Sequence, residues 1–203
     1  LQNSFSDKRS KNVRLVRGSH IVVDKLYDHD KSFICQNDDG RIFFMIPYED
    51  KFTLIGTTDI DHSRSASEVE ISEEEKQYIC DSANAYLNSE IKLSDIVWSY
   101  SGVRPLYDDG ASKAQEATRD YVIKAEEHDS SLMINIFGGK ITTYRRLSEA
   151  ILKHIETFLG QRGNPWTGNS SLPGGDFDVD GLFDLNNKIQ EKYPFLNEEI
   201  VKR

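Results

Sequence analysis

Apolar and polar residues alternate from Val13 to Leu15 and then run together at Ile21, Val22 and Val23, which predicts a strand, a bend at Gly18 and a second strand. Apolar runs over 32–36 and 41–47 flank Asn37-Asp38-Asp39-Gly40, a turn composition that predicts a β-hairpin, and a further strand over 52–57 follows the polar Glu49-Asp50-Lys51. Together these make an antiparallel meander. The period then changes. Ser72 and Glu75 have capping-box spacing, and Tyr78, Ile79, Ala83, Tyr86 and Leu87 recur on one side of a helix that should run to about Asn88 and cover a sheet. The acidic run Glu73-Glu74-Glu75 suits a helix start and needs no functional role.

A strand over 96–100 leads into Ser101-Gly102-Val103-Arg104-Pro105-Leu106. Another, over 119–126, pairs with 132–137 through His128-Asp129-Ser130, and 108–118 between them reads as a polar loop. Tyr144, Leu147, Ile151, Ile155 and Phe158 form a helical stripe over 142–159 that is expected to lie against the sheet, with Gly160 as the stop. Glycine and proline then interrupt the pattern at Gly163-Asn164-Pro165 and Pro173-Gly174-Gly175, before short helices over 182–193 and 197–203. A boundary is therefore expected near residue 164. The fold class is α+β, mainly antiparallel sheet with covering helices.

Charge and composition narrow the partners. A formal charge of −9 disfavours nucleic acid, whose phosphates the chain as a whole repels. No apolar run approaches the roughly 20 residues that span a bilayer, and 1–12 lacks the hydrophobic segment of a signal peptide. Cys35 and Cys80 have no metal-like spacing, and neither do the five histidines, so reduced structural thiols in a cytoplasmic protein without a metal site are expected.

The strongest chemical signal is Phe137-Gly138-Gly139-Lys140-Ile141-Thr142-Thr143-Tyr144-Arg145-Arg146, where an apolar strand passes through two glycines into an amphipathic helix. Helix-start N–H groups lack intrahelical partners and carry the positive end of the dipole, so an anion or electron-accepting group is favoured there. Glycines allow close approach, Lys140 adds a charge, and Thr142 and Thr143 offer hydroxyls for capping or for a ligand. The alternative is that Gly138 and Gly139 only make a turn. His20, Arg104, Arg119 and Lys140 each stand beside or close to glycine, proline or a strand end, and two arginines with a lysine suit a phosphate dianion. Arg104 and Arg119 could instead pair with Asp108 or Asp120, and His20 could be structural. Asp59 and Asp61 are assigned to a turn rather than to a metal. No G-x-G-x-x-G or G-x-x-x-x-G-K-[ST] occurs in the chain.

The segments Val13–Val23, Leu54-Ile55-Gly56-Thr57-Thr58-Asp59, Trp98–Leu106, Thr118-Arg119-Asp120-Tyr121 and Phe137–Arg145 appear in the order in which the FAD-dependent glycerol-3-phosphate dehydrogenases carry them, and the chain resembles that family from residue 13 to about 175. The resemblance implies a D-amino-acid-oxidase-like substrate-binding domain over 1–136, the last strand and helix of an FAD domain ending in the segment 137–163, and a linker with the start of a helical cap domain over 164–203. It implies a middle fragment without the N-terminal dinucleotide fingerprint, inactive alone and holding FAD weakly or not at all. For the parent it implies oxidation of sn-glycerol 3-phosphate to dihydroxyacetone phosphate. By the same resemblance hydride is expected to pass to FAD and electrons on to quinone, in the cytoplasm or peripherally on the cytoplasmic membrane. His20 and Arg104 are then the expected catalytic residues, Arg104, Arg119 and Lys140 the substrate-binding ones, and Gly138, Gly139, Lys140, Ile141 and Thr142 the cofactor-binding ones. An oxidase that uses oxygen, or a non-catalytic module that binds a phosphorylated ligand, remain the alternatives.

Overall fold

The computed structural model describes residues 13–202. Contacts divide the chain after Leu159 into two compact units.

The first unit is built on a six-stranded antiparallel sheet. Its strands are β1 (Val13–Asp24), β2 (Phe33–Gln36), β3 (Ile42–Tyr48), β4 (Phe52–Gly56), β5 (Ile60–Asp61) and β6 (Ile96–Tyr107). They run β2-β3-β4-β1-β5, and β6 also pairs along β1. A separate hairpin joins β7 (Val122–His128) to β8 (Ser131–Phe137). Gly18 does not bend β1 into two strands as expected. It faces Gly102 in a ladder with β6 that keeps one register from Val13 to Val22, and continuous pairing along that stretch overrides the glycine. Strand 96–100 likewise continues through Gly102 and Pro105 to Tyr107.

Alternation gives β1 two faces, and the registers extend them across the sheet. Ile21 and Val23 align with Ile55 and Thr53 of β4, and Ile55 with Met45 of β3. This back face is covered by helix α1 (Glu73–Asn84), whose Ile79, Cys80 and Ala83 join Ile21, Val23, Cys35, Phe43, Met45 and Ile55 in one buried core. Both cysteines are free and buried, and burial raises both thiols above their ordinary range. The capping box forms as expected: Glu75 N–H donates to Ser72 Oγ at 3.2 Å, and Ser72 N–H to Glu75 Oε2 at 3.0 Å. The helix stops at Asn84 rather than near Asn88, because the Asn84 side chain bonds both the N–H (2.8 Å) and the C=O (2.9 Å) of Ile91 and turns the chain back.

At one end of the front face, Val16 and Leu106 are covered by Ala114 and Ala117 of the 108–118 loop. Beyond them this face stays open, with Tyr100 38% and Trp98 55% exposed. Helix α2 (Tyr144–Leu159) follows a short 3-10 turn, Ile141–Thr143, and contacts β8. Its apolar stripe departs from expectation, for none of its residues is buried and Leu147, Ile151, Ile155 and Phe158 are only half covered. Gly160 ends it at φ +83°. The second unit holds helices α3 (Leu182–Lys192) and α4 (Glu198–Lys202).

Candidate functional site

Three glycines shape the front of the sheet. Gly18 and Gly102 oppose each other on β1 and β6, and Gly56 of β4 opposes His20. The bare backbone is occupied by neighbouring side chains. A Cβ on Gly18 would lie 2.2 Å from Arg104 Nη1, and one on Gly56 would lie 2.5 Å from His20 Cδ2. The His20 ring is stacked on Tyr100, with centroids 4.9 Å apart and planes 7° from parallel.

Burial, and secondarily the charge of Arg104, lower the His20 pKa below its ordinary 6.5. Its Nδ1 is buried without a protein hydrogen-bond partner. The ring is therefore neutral at pH 7 and able to accept a proton. A linked stability effect follows. Stability is full above about pH 6.5, falls as the pH drops toward the lower folded-state value because the unfolded chain takes the proton first, and levels off below it. Urea midpoints measured between pH 5 and 8 should show this slope in the native chain and not in His20→Gln.

Asp59 ties the two candidate arginines together. Its Oδ1 accepts from Arg104 Nη1 at 3.2 Å and its Oδ2 pairs with Arg119 Nη2 at 2.8 Å, while Arg104 Nη2 donates to Thr57 Oγ1 at 3.2 Å. The 108–118 loop is stitched to the same point, with Gln115 Nε2 donating to the Asp59 carbonyl and Arg119 Nη1 to the Gln115 carbonyl. Neither arginine takes Asp108 or Asp120 as its partner here, and Asp59 is an ionic bridge rather than a plain turn residue. Asp61 holds Arg14 through two bonds of 2.6 and 2.7 Å. Among the described residues no cluster of His, Cys, Asp or Glu is placed to hold a metal ion.

A cavity of about 360 Å³ brings together Arg104, Arg119, Gly138, Gly139 and Lys140, walled by Val103, Pro105 and Leu106. His20 is not in its lining, but it shares the front face of the sheet with Arg104, close enough for that charge to affect its titration. Gly138 and Gly139 have φ of +64° and +96°, a region that favours glycine. Their bends turn the chain so that a helix start follows directly. Lys140 is exposed and Ile141 is 88% exposed. Thr142 is also exposed, whereas Thr143 Oγ1 donates to the Lys140 carbonyl at 2.8 Å and caps no N–H group. Exposed helix-start amides beside a lysine, reached over two glycines, fit the electron-rich edge of a cofactor ring. Because the Gly18 position is filled by the movable end of Arg104, Gly18→Ala should cost little stability. It should weaken inorganic phosphate binding, measured by calorimetry, by about tenfold, the loss of one charge-assisted hydrogen bond.

Behind the sheet lies a polar node that sequence reasoning gave no function. Glu75 is 2% exposed. Its Oε1 accepts from Ser19 Oγ and Thr58 Oγ1, both at 2.7 Å, and its Oε2 pairs with Arg17 Nη2 at 2.7 Å. The capping-box spacing located Glu75 but gave no sign of these partners, which come from β1 and from the segment after β4.

Comparison with known proteins adds the following. The profile of the FAD dependent oxidoreductase (DAO) family matches residues 2–145. A glycerol-3-phosphate dehydrogenase of Pseudomonas aeruginosa is 38% identical over all of this chain and 40% of its own length. A D-erythritol 1-phosphate dehydrogenase of Brucella abortus is 37% identical over 99% of this chain and 40% of its own. Among solved structures, the glycerol-3-phosphate dehydrogenase of Bacillus halodurans complexed with FAD superposes with a TM-score of 0.71 at 25% identity, over 94% of this chain and 37% of that one. The chain thus spans about 40% of the length of these relatives.

Proposed function

The chain belongs to the family of FAD-dependent oxidoreductases, and from that premise we propose that it supplies the substrate-binding part of a flavoenzyme that oxidises sn-glycerol 3-phosphate to dihydroxyacetone phosphate. One observation carries the reading: Arg104, Arg119, Lys140 and two positive-φ glycines meet at one cavity, beside a histidine held neutral. Arg104, Arg119 and Lys140 hold the phosphate, the arginines through planar forks and the lysine as a point charge. His20 accepts the proton from the C2 hydroxyl as the C2–H bond breaks. FAD, when bound, would supply the acceptor for the hydride. Gly138, Gly139, Lys140, Ile141 and Thr142 would hold its ring edge, and the helix start would favour the negative charge that reduction brings.

We further propose that the whole protein passes its electrons to a quinone, in the cytoplasm or at the surface of the cytoplasmic membrane; the names of the relatives, dehydrogenases rather than oxidases, support an acceptor other than oxygen. No helix among the described residues is long and apolar enough to cross a membrane. Boundaries at 136/137 and 163/164 separate, in this reading, the substrate-binding domain from the last FAD-domain segment and that segment from a helical cap. Taken alone, the 203 residues are a phosphate-binding module with weak or no flavin.

The test uses the whole protein. Anaerobic addition of sn-glycerol 3-phosphate should bleach the flavin absorbance, glycerol should not, and D-erythritol 1-phosphate should do so more slowly. Reoxidation by a quinone analogue should outpace reoxidation by oxygen. Flavin left unreduced by sn-glycerol 3-phosphate sinks the substrate, and faster reoxidation by oxygen sinks the acceptor.

A further inference from the structure

We infer that Glu75, on the back of the sheet, is a positioning residue for the anion site on its front, an inference that rests on reading His20, Arg104 and Arg119 as working groups of that site. A helix cap explains only the Ser72 bonds. The other partners of Glu75 share a different property: each immediately precedes a residue of the site. Arg17 precedes Gly18, which the Arg104 guanidinium covers, Ser19 precedes His20, and Thr58 precedes Asp59, which bridges Arg104 and Arg119. The network closes on itself, since Ser19 N–H donates to Thr58 Oγ1 at 3.0 Å and the hydroxyls of Ser19 and Ser101 lie 2.7 Å apart. Ser101 precedes Gly102, which pairs with Gly18, the glycine that the Arg104 guanidinium covers.

Ser19, Thr58 and Glu75 are all nearly fully buried. On β1, fixing Ser19 behind the sheet fixes His20 in front, and Thr58, in the segment between β4 and β5, anchors the chain directly next to Asp59. A carboxylate accepts at both oxygens and can take all these donors together. A glutamine amide fits less well: with its NH₂ toward the Ser72 N–H and Arg17, donor meets donor, and with its NH₂ toward the two hydroxyls both must turn round to accept, which leaves the Thr58 hydroxyl, already accepting from Ser19 N–H, without its carboxylate acceptor. The charge is needed as well, because Arg17 Nη2 sits 2.7 Å from Oε2.

The whole protein with its flavin is the test material, in the variants Glu75→Gln, Thr58→Val, Thr58→Ser and Ser72→Ala. Two readouts are taken: inorganic phosphate affinity by calorimetry, and kcat and KM per mole of bound flavin with sn-glycerol 3-phosphate. Glu75→Gln and Thr58→Val are expected to lose about tenfold in phosphate affinity and to raise KM similarly, with a smaller change in kcat. Thr58→Ser, which keeps the hydroxyl, and Ser72→Ala, which removes only the cap, should stay near the parent in both readouts although Ser72→Ala melts earlier. If Glu75→Gln and Thr58→Val melt earlier but bind phosphate as well as Ser72→Ala does, Glu75 is only structural and the inference falls. Should Glu75→Gln fail to fold, the isosteric Thr58→Val and the hydroxyl-keeping Thr58→Ser decide between them. Phosphate binding without turnover of sn-glycerol 3-phosphate would reject the substrate while the calorimetry still judges Glu75. A parent protein that binds no phosphate rejects both.

Discussion

Arg104→Ala in the whole protein is expected to lower kcat/KM for sn-glycerol 3-phosphate by about a hundredfold, equivalent to about 3 kcal/mol, for the loss of charge-assisted hydrogen bonds in a partly buried site. Three losses combine. The guanidinium leaves the cavity wall, so a phosphate there has only Arg119 and Lys140. Asp59 keeps Arg119 as its remaining cationic partner, and Thr57 loses the donor at 3.2 Å. The positive charge that helps hold His20 neutral also disappears, so the imidazole pKa rises toward its ordinary value. The last effect separates this site from a simple phosphate clamp. The acid limb of the kcat/KM profile should move to higher pH in Arg104→Ala, and NMR titration of the His20 ring should move with it. An acid limb that stays in place would show that Arg104 does not act on His20.

The second large effect concerns folding. Glu75→Ala should cost about 3–5 kcal/mol, the range for leaving a buried charge without its partner. Arg17 would lose its counterion, Ser19 and Thr58 an acceptor, and helix α1 its capping box, all at once. Ser72→Ala removes the cap alone and should cost about 1 kcal/mol. Replacing both charges with apolar residues, Arg17→Met with Glu75→Leu, should recover part of the Glu75→Ala loss, because most of that loss is the stranded charge. Urea unfolding followed by tryptophan fluorescence ranks the three. Glu75→Ala no less stable than Ser72→Ala would mean that Arg17 finds another partner.

Local signals read the elements well where short-range chemistry decides them. The hairpin around Asn37-Asp38-Asp39-Gly40 and the capping box at Ser72 and Glu75 depend on neighbours a few residues away, and both formed as expected. Reading failed where a distant partner decided. Gly18 looked like a break but pairs with Gly102, 84 positions later in sequence, inside a continuous ladder. Helix α1 ended early because Asn84 turns back to Ile91. The stripe on α2 was legible, but not that its side chains would be only half covered.

The site divides in the same way. Gly138, Gly139 and Lys140 could be found because strand, glycines, cation and helix are contiguous, and Arg104 and Arg119 could be named as candidates by residue type. Asp59 could not be placed. Its role depends on two arginines 45 and 60 positions away, and Thr57-Thr58-Asp59 read alone resembles any polar turn. Gly56 stands before it on the same segment, and its missing side chain, filled by the His20 ring, is the one local hint that this stretch faces something.

Asp59 also changes what the arginines can select. Both guanidinium groups already hold a carboxylate that belongs to the chain, so a visiting anion meets a resident rival rather than an empty seat. A guest with one negative charge offers Arg104 and Arg119 no more than they have. A phosphate ester with two offers more, and discrimination by charge number then arises from the very acid that occupies the two arginines.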